Sequence, residues 1–480
     1  YMEKLYKIQM GKAKCAVDLG DGSERGEYVD QDYILRKLGR PHRSISLMYC
    51  YYPLDEQWPA RISEAMKDAN VSFQWDYPYD DYFTYKGGLG GTLDDEPFTC
   101  MRDVRRHGQD VTLTLTIDPH VSDEQLAAIG DDLRTFGRVF LRINHEATGN
   151  WFSFNKRATY QEVADFYCRA SRIIKEHAPN VQTILCIGGV ENPETGEIEK
   201  EKEFSQAVRE TDIWSVDKYM SLHWGWPYDV AEPGGTSHSR SAVKDVYRDT
   251  KLSYERFKHI NGGMEKPMVM SEFNADGDVT GVYEQAEMVK LFCDFIKEDN
   301  AEWFSGFTFY QFRDRGRLGL EIEDPNNRNV GVEQPVMKTY KEIIHDDWFK
   351  PSMTIGEEIK LPVTLRWGNS EDAEGIAVPV HFDGDPCLCE LVFEDDSNLM
   401  IEVNGTWFYK SPKAKTIDLI SAFYEKPLEG ETDLTIKIFA PPASGENDLS
   451  APDGAFNSYY TLEKMPKIRI RTTPVEPSRD

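Results

Sequence analysis

From about residue 44 to about residue 345, short apolar runs alternate with amphipathic helical runs eight times. The apolar runs are Ser44–Tyr52, Val71–Trp75, Asp110–Ile117, Val139–Ile143, Val181–Ile187, Val216–Leu222, Pro267–Met270 and Phe304–Phe309. Each is too short for a helix and rich in β-branched or aromatic residues, so each reads as a strand. Between them lie helical patterns over Trp58–Ala69, Phe98–His107, Thr159–Glu176, Phe204–Val208, Ser241–Asn261 and Glu284–Glu298, with a closing helix over Gln334–Ile344. One more helix starts at Ser122, where Ser-Asp-Glu-Gln spells a cap, and runs to about Phe136. Strand and helix in strict alternation force parallel strands. Eight such units predict an α/β fold, a closed (β/α)8 or TIM barrel.

The pattern changes at Lys350-Pro351. Beyond it are short alternating runs separated by turn clusters: Ile359–Trp367, Cys389–Phe393, Leu399–Val403, Leu434–Phe439 and Ile468–Arg471. These predict an antiparallel, all-β sandwich. The expected division is therefore a lead-in of residues 1–40 packed on the barrel, a barrel domain of 41–349 and a β-sandwich of 350–480. The sandwich is expected to bind glycan, contact a partner or brace the barrel. Trp367, Trp407, Phe408 and Tyr409 are its candidate exposed aromatics, with core packing the expected alternative for each.

A net charge of −28 repels nucleic acid and anionic membrane and suits a neutral ligand. No apolar stretch reaches the roughly 20 residues of a membrane helix. The start, Tyr1-Met-Glu-Lys-Leu-Tyr-Lys7, lacks the apolar core of a signal peptide, which leaves a cytoplasmic protein or one whose export signal has been removed. Of the eight cysteines, Cys168, Cys186 and Cys293 sit in apolar runs, and Cys387-Leu-Cys389 is spaced too tightly for zinc. Neither a disulfide framework nor a metal site is expected. Asn274-Ala-Asp-Gly-Asp278 starts like a calcium loop, but Val279 and Gln285 stand where glycine and glutamate are needed. The run Gly87-Gly-Leu-Gly-Gly91 has no Lys-Ser/Thr pair after it and reads as a lid or cleft wall.

Barrel enzymes keep their chemistry at the C-terminal ends of the strands. Those ends carry Tyr51, Tyr52, Trp75, Asp76, Asp118, His120, His145, Glu146, His223, Trp224, Trp226, Glu272, Tyr310, Gln311 and Arg313. Two glutamates stand out, Glu146 after Leu141-Arg-Ile-Asn-His145 and Glu272 after Lys266-Pro-Met-Val-Met-Ser271. Two carboxyls brought to one mouth by different strands are the machinery of glycoside hydrolysis. Glu146 is the expected acid/base, with Trp151 and Phe152 as the apolar neighbours that raise its pKa. Glu272 is the expected nucleophile, kept ionised by His223 or Tyr310.

The segment Arg142-Ile-Asn-His-Glu-Ala-Thr-Gly-Asn-Trp-Phe152 resembles the acid/base motif of glycoside hydrolase family 26, which includes many β-mannanases. Arg142, His145, Glu146, Gly149, Trp151 and Phe152 carry the likeness, and Lys266–Phe273 is similar to the family's nucleophile strand. The resemblance implies a retaining mechanism with the carboxyls about 5–5.5 Å apart. It also implies β-1,4-mannan as substrate, an extracellular or periplasmic setting, His145 as a sugar-binding residue and Trp151 as a sugar platform. Two departures stand out. The sixth strand ends in Leu222-His-Trp224, where the family has an Asp-x-Tyr whose tyrosine touches the nucleophile, and Phe154-Asn155 replaces an aromatic continuation.

Hydrolysis of this kind needs water and two carboxyls, so no cofactor is expected; the partner is a polysaccharide or oligosaccharide. Two alternatives remain at this level. The cluster Arg313-Asp-Arg-Gly-Arg317 pairs with Glu321, Glu323 and Asp324, or else reads a carboxylate or sulfate on a decorated glycan. The missing sixth-strand tyrosine and the β-sandwich fit a carbohydrate-binding protein without turnover.

Overall fold

A computed structural model describes residues 4–20, 28–59, 83–149, 157–221, 238–314, 316–426, 431–442 and 457–473. Its first large unit is a closed parallel barrel of eight strands. In chain order they are β2 (Ala16–Gly20), β3 (Ser44–Tyr51), β5 (Asp110–Ile117), β6 (Val139–Ile143), β7 (Val181–Cys186), the interrupted pair β8 (Ile213–Ser215) and β9 (Lys218–Met220), β10 (Met268–Ala275) and β11 (Phe304–Phe309). Closure comes from β11, which pairs in parallel with both β10 and β2. Every residue of β3, β5, β6 and β10 is buried, as expected of strands with helices outside and packed side chains inside.

The lead-in behaves differently from the expectation. The first barrel strand is β2, and β1 (Leu5–Gly11) belongs to the β-sandwich, pairing with Ser352–Ile359 and Asp372–Asp383. A charged residue hid β2 from the hydropathy pattern. Asp18 sits buried in the strand, its carboxylate 2.6 Å from the Arg43 guanidinium. Val71–Trp75 and most of Trp58–Ala69 lie outside the described residues. Among the described residues β3 pairs directly with β5, from Ser44–Asp110 through Tyr51–Ile117, where the alternation had put Val71–Trp75 between them. From Val139 onward the expected strands take their expected barrel positions.

Local signals hold the helices. Ser122 Oγ accepts from the Gln125 amide, and Gln125 Oε1 accepts from the Ser122 amide, a reciprocal cap that also recurs at Thr159 and Glu162. The glycine run after β4 (Phe83–Thr84) is tethered. Asp132, on the helix Asp123–Leu133, accepts from the Gly88 amide and the Tyr85 hydroxyl, each at 2.7 Å.

The second unit packs an eight-stranded antiparallel sheet against a three-stranded one made of Asp385–Val392, Thr416–Asp418 and Lys467–Thr473. Ile376, Val378, Ile401 and Ile436 from the large sheet meet Cys389, Leu391 and Ile417 from the small one. The sandwich braces the barrel. Of the candidate exposed aromatics, Trp367 and Trp407 take the alternative of core packing, buried in the seam with Met10, Leu35, Met400 and Phe439, and Phe408 and Tyr409 are partly buried. Trp367 Nε1 donates to the Gly108 carbonyl at 3.1 Å. Gly108 has φ +76°, and a side chain there would strike the indole. Among the described residues all eight cysteines are free thiols, and no helix is long and apolar enough to cross a membrane.

Candidate active site

At the end of β6 the chain turns through two consecutive left-handed residues, Asn144 (φ 60°) and His145 (φ 41°). Such conformations are costly for residues with a Cβ and persist where the surroundings hold them. Here Asn144 Oδ1 accepts from the Ile117 amide at 2.7 Å, and the Ala147 amide donates to the Cys186 carbonyl at 3.0 Å. The β6 end is thus anchored to β5 on one side and β7 on the other. His145 and Glu146 follow directly from this turn.

Glu272 lies in β10 and is 5% exposed. Three donors converge on it. Arg142 Nη2 from β6 reaches Oε2 at 2.7 Å, His145 Nε2 reaches Oε2 at 2.5 Å, and the Tyr219 hydroxyl from β9 reaches Oε1 at 2.7 Å. The same guanidinium reaches Asp217 Oδ2 at 3.4 Å through Nη1. Side-chain oxygens of Glu146, Asp217 and Glu272 and a ring nitrogen of His145 all lie within 4.8 Å of one another. Four side chains that could ligate a divalent ion therefore meet here. Arg142 already places a fixed positive charge on two of the carboxylates, which suits the group to acid and nucleophile roles.

The electrostatics separate the carboxyls. Burial works to raise the pKa of Glu272, but His145 and Arg142 outweigh it and hold the group well below the usual carboxylate range. Burial foremost, and then the adjacent Glu272 charge, push Asp217 well above that range against the pull of Arg142. Burial and Arg142 also lower the pKa of His145, so its imidazole is neutral near pH 7. The charged imidazole that would most depress Glu272 is therefore not the state its own surroundings favour. We assign the fixed charge to Arg142 and leave His145 a neutral Nε2–H donor.

Arg142, His145, Glu146 and Glu272 thus meet as expected. Tyr310 touches the cluster indirectly, its ring edge-on to Tyr219 with centroids 6.1 Å apart. Tyr310 therefore does not hold Glu272; Arg142, His145 and Tyr219 do. Trp75, Asp76, Trp151, Phe152, His223, Trp224 and Trp226 lie outside the described residues. Asp118 and His120 form a separate rim network. The Arg157 guanidinium lies 2.9 Å from Asp118 and 3.3 Å from Asp55, and the Arg157 carbonyl is 3.2 Å from His120 Nε2. Arg313 is 4% exposed, 2.9 Å from Glu323, and lies over the Tyr28 ring. Its charge is met inside the protein; Arg317, half exposed, lies 3.8 Å from Asp278, and Arg315 lies outside the described residues.

Sequence reasoning missed Asp217 and Tyr219. The signal was present, because Asp217-Lys218-Tyr219 spells the Asp-x-Tyr arrangement in the sixth strand. Extending that strand to Leu222 moved its expected end past them. The break between β8 and β9 ends the run early and leaves Tyr219 beside Glu272.

No family model matches the chain, and no curated protein matches it. Solved structures similar to it include a family 51 α-L-arabinofuranosidase from Bifidobacterium longum (10% identity over 89% of this chain and 95% of that one, TM-score 0.44). A family 26 β-mannanase from Bacteroides ovatus is similar at 12% identity over 70% and 90%, TM-score 0.41. A glucosidase from Croceicoccus marinus is similar at 10% identity over 90% and 97%, TM-score 0.44. Likeness at this level assigns neither family nor activity.

Proposed function

We propose that the protein is a retaining glycoside hydrolase with Glu272 as nucleophile and Glu146 as acid/base. The observation that supports the reading is that one carboxylate oxygen of Glu146 and one of Glu272 lie within 4.8 Å of each other, with Glu272 ringed by donors. A retaining pair stands about 5–5.5 Å apart, whereas an inverting pair leaves about 6.5–9.5 Å for a water. In the first step Glu272 attacks the anomeric carbon while the Glu146 carboxyl protonates the departing oxygen. A glycosyl ester forms on Glu272, and the leaving sugar carries away the proton. In the second step Glu146, now a carboxylate, takes a proton from water as that water attacks the same carbon and frees Glu272. Arg142, His145 and Tyr219 stabilise the carboxylate that attacks and then departs.

The substrate we propose is a neutral β-linked polysaccharide, with β-1,4-mannan first, on the likeness of the Glu146 segment to family 26. The carbohydrate-binding alternative drew on a missing tyrosine, and Tyr219 occupies that contact. The test is hydrolysis of a panel of purified glycans by the wild type and by Glu146→Ala and Glu272→Ala, with the anomeric form of the first product read by NMR. Loss of turnover in both variants and a retained β-product are expected. Undiminished hydrolysis by either variant, or an inverted product, would overturn the assignment.

A further inference from the structure

Glu199 stands out among the acidic residues around the mouth. Its amide donates to the Gly189 carbonyl at 3.1 Å, and the adjacent bridge between Val190 and Ile198 folds residues 190–198 into a short hairpin past the end of β7. This returns the Glu199 side chain onto Gly188, two residues beyond Cys186, the last residue of β7. A Cβ on Gly188 would come within 2.9 Å of Glu199 Cδ and collide with Oε2, so the carboxyl occupies the space a side chain would fill. Gly188 is itself tied to the acid loop, its amide donating to Thr148 Oγ1 at 2.7 Å, two residues from Glu146. Glu199 therefore lies at the barrel mouth on the flank of Glu146.

Among the described residues, no hydrogen bond or ion pair takes up the Glu199 carboxyl. Elsewhere in the chain, half-buried carboxylates such as Asp55, Glu201 and Asp212 have a cation against them. Lys218, in β9 between Asp217 and Tyr219, acts on Glu199 electrostatically without reaching it as an ion pair. Burial, and next the charge of Glu191, raise the pKa of Glu199 against the pull of Lys200 and Lys218; Glu146 adds to the rise. A half-buried acceptor without a donor is unfavourable in the free protein and becomes favourable once a donor arrives. Sugar hydroxyls are such donors. The leaving part of the substrate must pass the acid that protonates it, so its hydroxyls come to this flank.

We infer that Glu199 is a substrate-contact residue that accepts hydrogen bonds from sugar hydroxyls on the leaving-group side of the cleavage point, an inference that rests on the hydrolase reading. The test compares Glu199→Gln and Glu199→Ala with the wild type on two substrates. One is the polysaccharide that the wild type cleaves best. The other is a 4-nitrophenyl oligosaccharide of the same sugar, with no sugar on the leaving side. A loss of about ten- to a hundredfold in kcat/KM on the polysaccharide is expected for Glu199→Ala, the range for a hydrogen bond to a charged group. The nitrophenyl substrate should change by no more than about twofold, and thermal unfolding should keep its wild-type midpoint. Unchanged kcat/KM on the polysaccharide would overturn the inference. So would equal losses on both substrates, which would make Glu199 act through Glu146 or through the fold. A wild type that cleaves no glycan at all would instead remove the hydrolase reading on which the inference stands.

Discussion

Tyr219 donates its hydroxyl to Oε1 of Glu272 at 2.7 Å, on the oxygen opposite the one held by Arg142 and His145. Both oxygens of the carboxylate are thereby engaged. The donors come from two strands other than its own: Arg142 from β6, with His145 from the turn that ends it, and Tyr219 from β9. Hydrogen bonds to the charged form of a carboxylate lower its pKa, and a fixed guanidinium adds to the effect.

Removing one donor should move the titration of the nucleophile. Glu272 has a depressed pKa, so Tyr219→Phe raises it toward the ordinary value. The acid limb of the kcat/KM–pH profile should shift upward, and activity should fall first at low pH. An acid limb in the wild-type position would show that Tyr219 does not tune Glu272.

Arg142→Met should change the pH dependence of stability. It leaves Asp217 and Glu272 without their shared cation, and both folded pKa values rise. A carboxyl raised in the folded state gives stability that is present below its unfolded pKa of about 4 and lost as pH rises through the folded value. The variant should lose about 3–5 kcal/mol at pH 7 and recover part of it on acidification. Urea denaturation at pH 7 and pH 4.5 checks this; an equal loss at both would contradict it.

The two glutamates should fail differently. Glu146→Ala should lose about 10²–10⁴-fold on the polysaccharide, the range for general acid–base catalysis, and far less on an aryl glycoside whose leaving group needs no proton. Glu272→Ala should lose both activities alike. Steady-state kinetics on the two substrates separates the roles, and the same ratio of losses for both variants would argue against the assignment.

The seam should bear part of the stability of the chain. Trp367 is fully buried between barrel and sandwich, and Trp367→Ala should cost about 3–5 kcal/mol by chemical denaturation. A cost below about 1 kcal/mol would mean that the two units do not support each other through this ring.

Arg313→Ala should leave kcat/KM on neutral glycans within about twofold while lowering stability by about 1–3 kcal/mol, since the arginine serves Glu323. A specific loss of activity on an acidic glycan would instead restore a substrate role for it.

Legibility followed the range of the signals. β6 and β10 were readable because each contains a short buried apolar run followed by polar residues, and Glu146 and Glu272 came with them. β2 was not, because Asp18 interrupts its apolar pattern and only Arg43, from beyond the next helix, makes its burial tolerable. Tyr219 was missed although Asp217-Lys218-Tyr219 spells the expected arrangement, because nothing local marks the break between β8 and β9. Arg313 was readable as a cation with Glu321, Glu323 and Asp324 as candidate partners, but which of them it meets depends on how β12 (Arg313–Asp314) and β13 (Glu321–Asp324) pair.

The amino-acid sequence alone determined the alternation of elements, the change to antiparallel strands near residue 350 and the two strand-end glutamates, because periodicity, caps and turns act over a few residues. Only the tertiary structure decided that Arg142, His145 and Tyr219 surround Glu272, and that the sandwich aromatics face the barrel. Those contacts join residues far apart in the chain. They exist because closing the sheet brings the C-terminal ends of its strands into one ring, a condition that no short stretch of sequence carries.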